Sequence, residues 1–311
     1  MPDSDTLLRR GLKLSHLRLM AALADTGQIG LSAERLGIAQ PAASRLLAEV
    51  ERISGQSVHH RTGRGIALTP MGQALARRAT RVLRELRDAD REMTEIAGGG
   101  RGHVRIGSVT GPALDRVLPA LRTARLALPD VTTEVIVSPS DILVQQLLSG
   151  RIDFVLGRAP PGLESELTLS APIGDEPVSL IARRGHRLAQ AAQIDPQEMM
   201  SYDWVMPGPE AVLTRAVTQR LRALGLPQPP QRLATASFLL TLALVQQSNA
   251  IAPLARAVAL RFATAADAPY VILPVDLGIV VDPFGLITRT GAVLTPVARR
   301  LADLILAGGG D

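Results

Sequence analysis

Residues 30–72 limit what this chain can fold into more than any other stretch. At their centre stands Ala33-Glu34-Arg35-Leu36-Gly37-Ile38-Ala39-Gln40-Pro41-Ala42-Ala43-Ser44-Arg45. Ala33 and Leu36 close one helix, and Gly37 permits a sharp turn. Pro41 falls in the first turn of the next helix, where a missing N–H costs nothing. Ala43, Leu46, Leu47, Val50 and Ile53 then recur at helical spacing and predict a buried stripe. Gln40, Ser44, Arg45 and Arg52 are left on the other faces. The pattern predicts a helix-turn-helix whose polar edge is free to enter a DNA major groove.

Charge agrees with that placement. Residues 1–84 carry 13 basic and 6 acidic side chains, whereas the rest of the chain carries 21 and 23. A basic head on a nearly neutral remainder suits a phosphate-binding module joined to a small-molecule module. Cysteine is absent, which excludes disulfides and thiolate metal sites. His16, His59, His60, His103 and His186 form no metal-ligand spacing, and no nucleophile elbow, P-loop or complete dinucleotide fingerprint occurs. No catalytic residue, metal or cofactor is therefore expected. No run of 18 uncharged apolar residues occurs and Met1–Asp5 lacks a signal-peptide pattern, so the expectation is a cytoplasmic protein without a membrane partner.

Lys13–Thr26 reads as a first helix with Leu17, Met20, Ala21 and Ala24 on one face. Val58–Pro70 reads as a wing hairpin turning at Gly63 and Gly65. Arg61 and Arg64 would reach phosphates or a minor groove, the competing reading being solvated surface charge. Leu75, Ala79, Val82, Leu86, Ala89, Met93 and Ile96 then recur at spacings of four and three. Such a narrow seam predicts a dimerisation helix; the competing reading is an amphipathic helix on its own core. Gly98-Gly99-Gly100-Arg101-Gly102 makes a hinge.

Beyond the hinge, short β-prone runs alternate with helical patterns in the βαβ grammar of a parallel sheet. Strands are predicted at 103–109, 131–138, 152–157, 178–182, 204–206, 270–274 and 284–288, and helices at 113–128, 142–149, 212–224, 238–247, 253–262 and 295–307. Two such lobes imply a cleft at the strand C-termini. Candidate effector contacts there are Ser108, Thr110, Ser138, Ser140, Arg158, Pro207, Gly208 and Ser237. Each hydroxyl could instead serve only as a helix N-cap, and Arg158 could be a loop charge rather than a carboxylate clamp.

These residues together resemble the LysR-type transcriptional regulators. The resemblance is carried by Gln40–Arg45, Glu51, Gly55, Arg61-Thr62-Gly63-Arg64-Gly65 and Leu68-Thr69-Pro70-Met71-Gly72, and more loosely by Gly150–Gly157 and Gly185–Ala189. His16-Leu17-Arg18-Leu19, Ala42–Glu49 and Ala236-Ser237-Phe238-Leu239 look most like the branch that includes regulators of a galactose-binding protein and of protocatechuate catabolism. The resemblance implies DNA contacts at Gln40, Pro41, Ser44 and Arg45, and a homodimer or homotetramer. Ala39, Gly30, Ser32 and His59 depart from the family pattern: a cap is missing at Ala39, and His59 stands in place of a phenylalanine.

The expected architecture is an all-α winged helix-turn-helix at 1–70, a linker helix at 71–97, a hinge at 98–102 and an α/β two-lobed periplasmic-binding-protein-like effector domain. Lobe I would comprise 103–165 and 268–311, and lobe II 166–267. The expected function is ligand-responsive control of transcription. Its partners would be double-stranded promoter DNA, a small effector (aromatic acid, sugar or sugar acid) and, as a candidate, RNA polymerase. The alternative is a cytoplasmic solute-binding protein without sequence-specific DNA recognition.

Overall fold

The computed structural model describes residues 6–63, 65–98, 101–170, 172–191 and 193–308. The chain divides into two compact units, meeting at residues 99 and 100. The wing residue Arg64 and the hinge residues Gly99 and Gly100 lie outside the described residues.

The first unit runs α1 (Thr6–Arg9), α2 (Leu14–Thr26), α3 (Ile29–Leu36), α4 (Gln40–Ser54), β1 (His59–Thr62), β2 (Gly65–Leu68) and α5 (Pro70–Ala97). Gly37 ends α3 in the left-handed region (φ 67°), which makes the sharp turn before α4. Ala43, Leu47, Val50 and Ile53 form the buried stripe of α4, with Leu46 half-buried beside it. Ala43, Leu46, Leu47 and Val50 pack with Leu19, Met20, Leu23, Ala33, Val58 and Ala76 into one core. Burying each large apolar side chain contributes about 1.5–3 kcal/mol.

α2 buries His16, Leu19, Met20, Ala22 and Leu23; of the predicted face, Met20 is buried, Leu17 and Ala21 are half-buried against the same core, and Ala24 is exposed. His16, not read as part of that face, can be buried because both its ring nitrogens are satisfied. Nδ1 accepts from the Lys13 N–H at 2.9 Å, and the Nε2–H donates to Glu49 at 2.9 Å.

The second unit begins with β3 (Gly102–Ser108) and α6 (Thr110–Pro112), which continues through a π-helical turn (Ala113–Val117) into α7 (Leu118–Ala127). Then follow β4 (Val131–Val137), α8 (Ser140–Ser149), β5 (Phe154–Gly157), β6 (Leu167–Leu169) and β7 (Gly174–Arg183). Next come α9 (Pro196–Met199), α10 (Val212–Ala223), α11 (Phe238–Gln247), β8 (Ala252–Ala255) and α12 (Arg256–Ala263). The chain returns through β9 (Tyr270–Ile272) and β10 (Val280–Arg289) to α13 (Pro296–Ala307).

The sheet is mixed, not parallel throughout. β3 pairs in parallel with β4 and β5, whereas β10 runs antiparallel to β5, β6 and β7, and β8 and β9 run antiparallel to β7. The strand order is β4-β3-β5-β10-β7-β8. β7 and β10 therefore join the two lobes. β6 pairs with the far end of β10, so the chain crosses to the second lobe after Leu169, slightly beyond the boundary read at 165. Pro253–Ala255, predicted as helix, is strand: Pro253 lies opposite Leu180 on an edge strand, where its missing N–H is tolerated.

Both lobes bury their strands on two faces, because alternate side chains point to opposite sides. In lobe I, Phe154 and Leu156 pack with Val104, Ile106 and Leu301, while Val155 packs with Leu143, Leu147 and Ile287. In lobe II, Leu180 and Ala182 pack around Trp204 and Leu221, while Ile181 packs with Leu242, Val245 and Tyr270.

Candidate functional site

Two sets of residues emerge, one in each unit. In the first, Gln40, Pro41, Ser44, Arg45 and Arg52 are all exposed on α4, opposite its buried stripe. Arg61 is exposed on β1 of the wing. Ala39 takes the extended conformation of an N-cap (φ −69°, ψ 144°), but no side chain caps the helix there. Two departures from the family pattern are compensated locally. Buried Ser32 shares a hydrogen bond with Thr26 at 2.7 Å between the two hydroxyls. The His59 Nδ1–H donates to Glu51 Oε1 at 3.0 Å, tying β1 to α4.

Along α5, the predicted seam divides in two. Ala79 is buried and Leu75 half-buried against the core of their own unit, so these two positions pack within the head. Val82 (44% exposed), Leu86 (50%), Met93 (71%) and Ile96 (68%) remain open, as does Ala89. An apolar row of this kind on a solvent-facing helix suits a partner helix.

In the second unit, parallel pairing of β3, β4 and β5 brings five predicted residues to one sheet edge. Ser108 ends β3, Ser138 follows β4, Ser140 begins α8, Arg158 follows β5 and Thr110 opens α6. Ser108 is fully buried, and its hydroxyl donates to the Val109 carbonyl at 3.0 Å. Ser140 Oγ accepts from the Arg158 N–H at 3.1 Å.

The Arg158 guanidinium is already engaged. Its Nη2 donates to Glu176 Oε2 at 2.6 Å, and its Nε donates to the Asp282 carbonyl at 2.6 Å. The two charged side chains are 15% and 13% exposed, so the pair is shielded from water. Glu176 and Asp282 lie on β7 and β10, the strands that join the lobes. A register shift between Val281 and Phe284 takes Asp282 out of the ladder, and its carbonyl goes to Arg158. Arg158 thus grips both crossing strands rather than standing open as a carboxylate clamp. Gly111 makes room for this pair, since a Cβ there would overlap Glu176 Oε1 and approach Ala255 Cβ to 3.4 Å.

The three remaining residues lie in lobe II. The Pro207 carbonyl accepts from Thr214 Oγ1 at 3.0 Å and from Gln231 Nε2 at 3.1 Å, with Gly208 next in the chain. Ser237 Oγ caps α11 by accepting from the Leu240 N–H at 3.3 Å. The Thr235 N–H bonds the Met206 carbonyl at 3.0 Å, which holds the segment before Ser237 beside the one before Pro207.

Sequence reasoning gave Glu49 and Glu51 no structural role, although both stand in segments that carry the resemblance, and it missed Glu176 and Gly111. Glu176 carried a signal: an acidic residue between glycine and proline at the start of a strand, Gly174-Asp175-Glu176-Pro177, has to find a partner if the strand is buried. Gly111, beside a predicted strand end, carried no signal that singled it out.

Among the described residues no three His, Asp or Glu side chains gather as a metal site, and no helix is long and apolar enough to cross a membrane. Residues 14–73 match the family model "Bacterial regulatory helix-turn-helix protein, lysR family", and residues 97–309 match "LysR substrate binding domain". The chain is 40% identical over 245 residues to the HTH-type transcriptional regulator GbpR of Rhizobium radiobacter, covering 78% of this chain and 81% of that one. It is 30% identical to GbpR of Azospirillum brasilense, over 94% of this chain and 85% of that one. The crystal structure of ArgP from Mycobacterium tuberculosis superposes with a TM-score of 0.68 at 19% identity, over 96% of this chain and 98% of that one, and so shares its fold. With a DNA-binding helix-turn-helix unit and a two-lobed effector-binding unit, the chain belongs to the LysR family of transcriptional regulators.

Proposed function

We propose that the chain reads a promoter operator with α4 and the wing, and that a small molecule seated between the lobes changes that reading. The observation that carries the proposal is the two-sided character of α4. Ala43, Leu47, Val50 and Ile53 are buried, while Gln40, Pro41, Ser44, Arg45 and Arg52 are exposed along the other side. Gln40 and Arg45 are the base readers, since their side chains make the bidentate contacts that distinguish adenine and guanine. Ser44, Arg52, Arg61 and Arg64 hold the phosphates. Pro41 fixes the first turn that presents them.

The working division is a DNA-binding unit at 1–70, a linker helix at 71–97 and a hinge at 98–102; lobe I begins at 103 and is left after Leu169, and lobe II keeps the chain past Tyr270 until β10 carries it back, later than the position 268 read from the sequence. The effector site consists of Ser108, Thr110, Ser138, Ser140 and Arg158 from lobe I, with Pro207, Gly208 and Ser237 from lobe II. With the Arg158 guanidinium held by Glu176 and the Asp282 carbonyl, hydroxyls and backbone groups are what the site offers a ligand, and these suit a sugar, a sugar acid or an aromatic acid. The exposed part of the α5 seam pairs two copies, and pairs of pairs give the tetramer. The protein acts in the cytoplasm and has no catalytic role, its output passing through DNA to RNA polymerase.

Footprinting on the DNA upstream of the protein's own gene, with and without candidate acids and sugars, tests this reading. A protected near-palindrome whose boundary moves with one ligand is the expected result. Salt-sensitive binding without sequence preference would overturn it.

A further inference from the structure

The recognition helix is tied to the wing through a single carboxylate oxygen. Glu51 Oε1, on α4, lies 2.9 Å from Ser57 Oγ, 3.1 Å from the Val58 N–H and 3.0 Å from His59 Nδ1. These three donors are consecutive residues at the base of the hairpin. The carboxyl stays below the usual carboxylate range: burial opposes this, but the Ser57 hydroxyl, the Val58 amide and His59 outweigh it. Neither side chain is loose, with Glu51 30% and His59 21% exposed.

The rest of the hairpin is fixed elsewhere. Thr69 donates from Oγ1 to the Ser57 carbonyl at 2.8 Å and from its N–H to the Val58 carbonyl at 3.1 Å. The Ile66 N–H bonds the Gly27 carbonyl at 2.8 Å. What Glu51 adds, beside the apolar packing of Val58 in the core shared with α4, is a polar link to α4. It also sets a direction, because His59 and Arg61 are two residues apart on β1 and share a strand face. Holding His59 against α4 therefore turns the exposed Arg61 to the α4 side of the hairpin.

We propose that Glu51 and His59 are positioning residues for DNA recognition: together they aim Arg61 at the duplex that α4 reads. The inference rests on the reading of Arg61 as a DNA contact. Its sign separates it from simple electrostatics. Removing a carboxylate near DNA ought to strengthen binding, whereas losing the Glu51 tie weakens it.

The test uses the full-length protein and a duplex selected by it from a random pool, at fixed salt. Arg61→Ala is expected to weaken binding five- to tenfold in the wild-type background and no more than twofold in Glu51→Ala. The loss caused by Arg45→Ala should be the same in both backgrounds to within twofold, which general destabilisation would not give. Glu51→Gln, which keeps an oxygen acceptor, should retain at least half of the Arg61 effect on a logarithmic scale. His59→Ala leaves Ser57 and Val58 bound to Glu51 and should act in the same direction as Glu51→Ala, providing a variant if the latter does not fold. An equal Arg61→Ala loss in all these backgrounds, or tighter binding by Glu51→Ala, would overturn the positioning role alone. No loss for Arg61→Ala in the wild type would overturn the Arg61 reading and this inference with it.

Discussion

Arg158 and Glu176 form a 2.6 Å ion pair that joins the end of β5 to one of the strands crossing between the lobes. Because the pair is shielded, breaking it from one side strands the other charge at a cost of about 3 kcal/mol. Glu176→Ala should therefore lower stability by that order, and the Arg158→Ala/Glu176→Ala double variant should lose much less than the sum of the two singles. Gly111→Ala should mimic Glu176→Ala, because its methyl would overlap Glu176 Oε1. Urea unfolding of the two single variants, the double variant and Gly111→Ala checks this; additive losses would mean the pair is not coupled.

His186 gives a pH dependence. Burial pushes its pKa below the ordinary 6.5, opposed by its hydrogen bond to the Asn249 carbonyl and assisted by the nearby Arg183. Its Nδ1 accepts from the Leu188 N–H at 3.1 Å and its Nε2–H donates to Asn249 at 3.2 Å, so the folded ring is neutral. Between the folded pKa and 6.5, the unfolded chain binds more protons than the folded one. The His186 contribution to stability is complete above 6.5 and is lost as pH falls through the folded value. Urea midpoints measured from pH 7 down to 5 should fall, and His186→Gln should flatten that slope.

Most helices were legible because their periodicity is local. α11 falls at Phe238–Gln247 as read, and the stripe of α4 is the predicted one. The strand at Pro253–Ala255 was not, since only pairing with β7 makes a proline-containing segment extended. On α2 the packing of Leu17, Met20 and Ala21 was legible, but buried His16 was not, because a histidine counts as polar until its two partners, Lys13 and Glu49, are known. At the proposed effector site, parallel pairing puts Ser108, Thr110, Ser138, Ser140 and Arg158 at or just after the C-terminal ends of β3, β4 and β5, a placement that follows from the βαβ pattern of the sequence. That Arg158 is already bound to Glu176 depends on a residue 18 positions away and could not be seen in sequence.

Ala39 predicts a gain. It has N-cap geometry without a capping side chain. Ala39→Ser should stabilise the DNA-binding unit by about 1 kcal/mol through a bond to a first-turn N–H, read as a rise in the thermal midpoint. No rise would mean that the first-turn amides are already satisfied by water.

The open part of the α5 seam predicts the effect of a charge. Leu86→Glu puts a carboxylate between Val82 and Met93 on the exposed apolar row. Sedimentation equilibrium should show the assembled species shift to a smaller one. The head should keep its thermal stability, because Leu86 is half exposed and outside its core. Unchanged mass would move the pairing surface elsewhere.

The central claim is that α4 reads sequence. The most direct measurement is the ratio of affinities for a footprinted operator and a scrambled duplex at one salt concentration, for the wild type, Gln40→Ala and Arg45→Ala. Losing a bidentate base contact should reduce that ratio by about tenfold or more, while binding to the scrambled duplex changes little with Gln40→Ala. A ratio that survives both substitutions would contradict the account and place recognition outside α4.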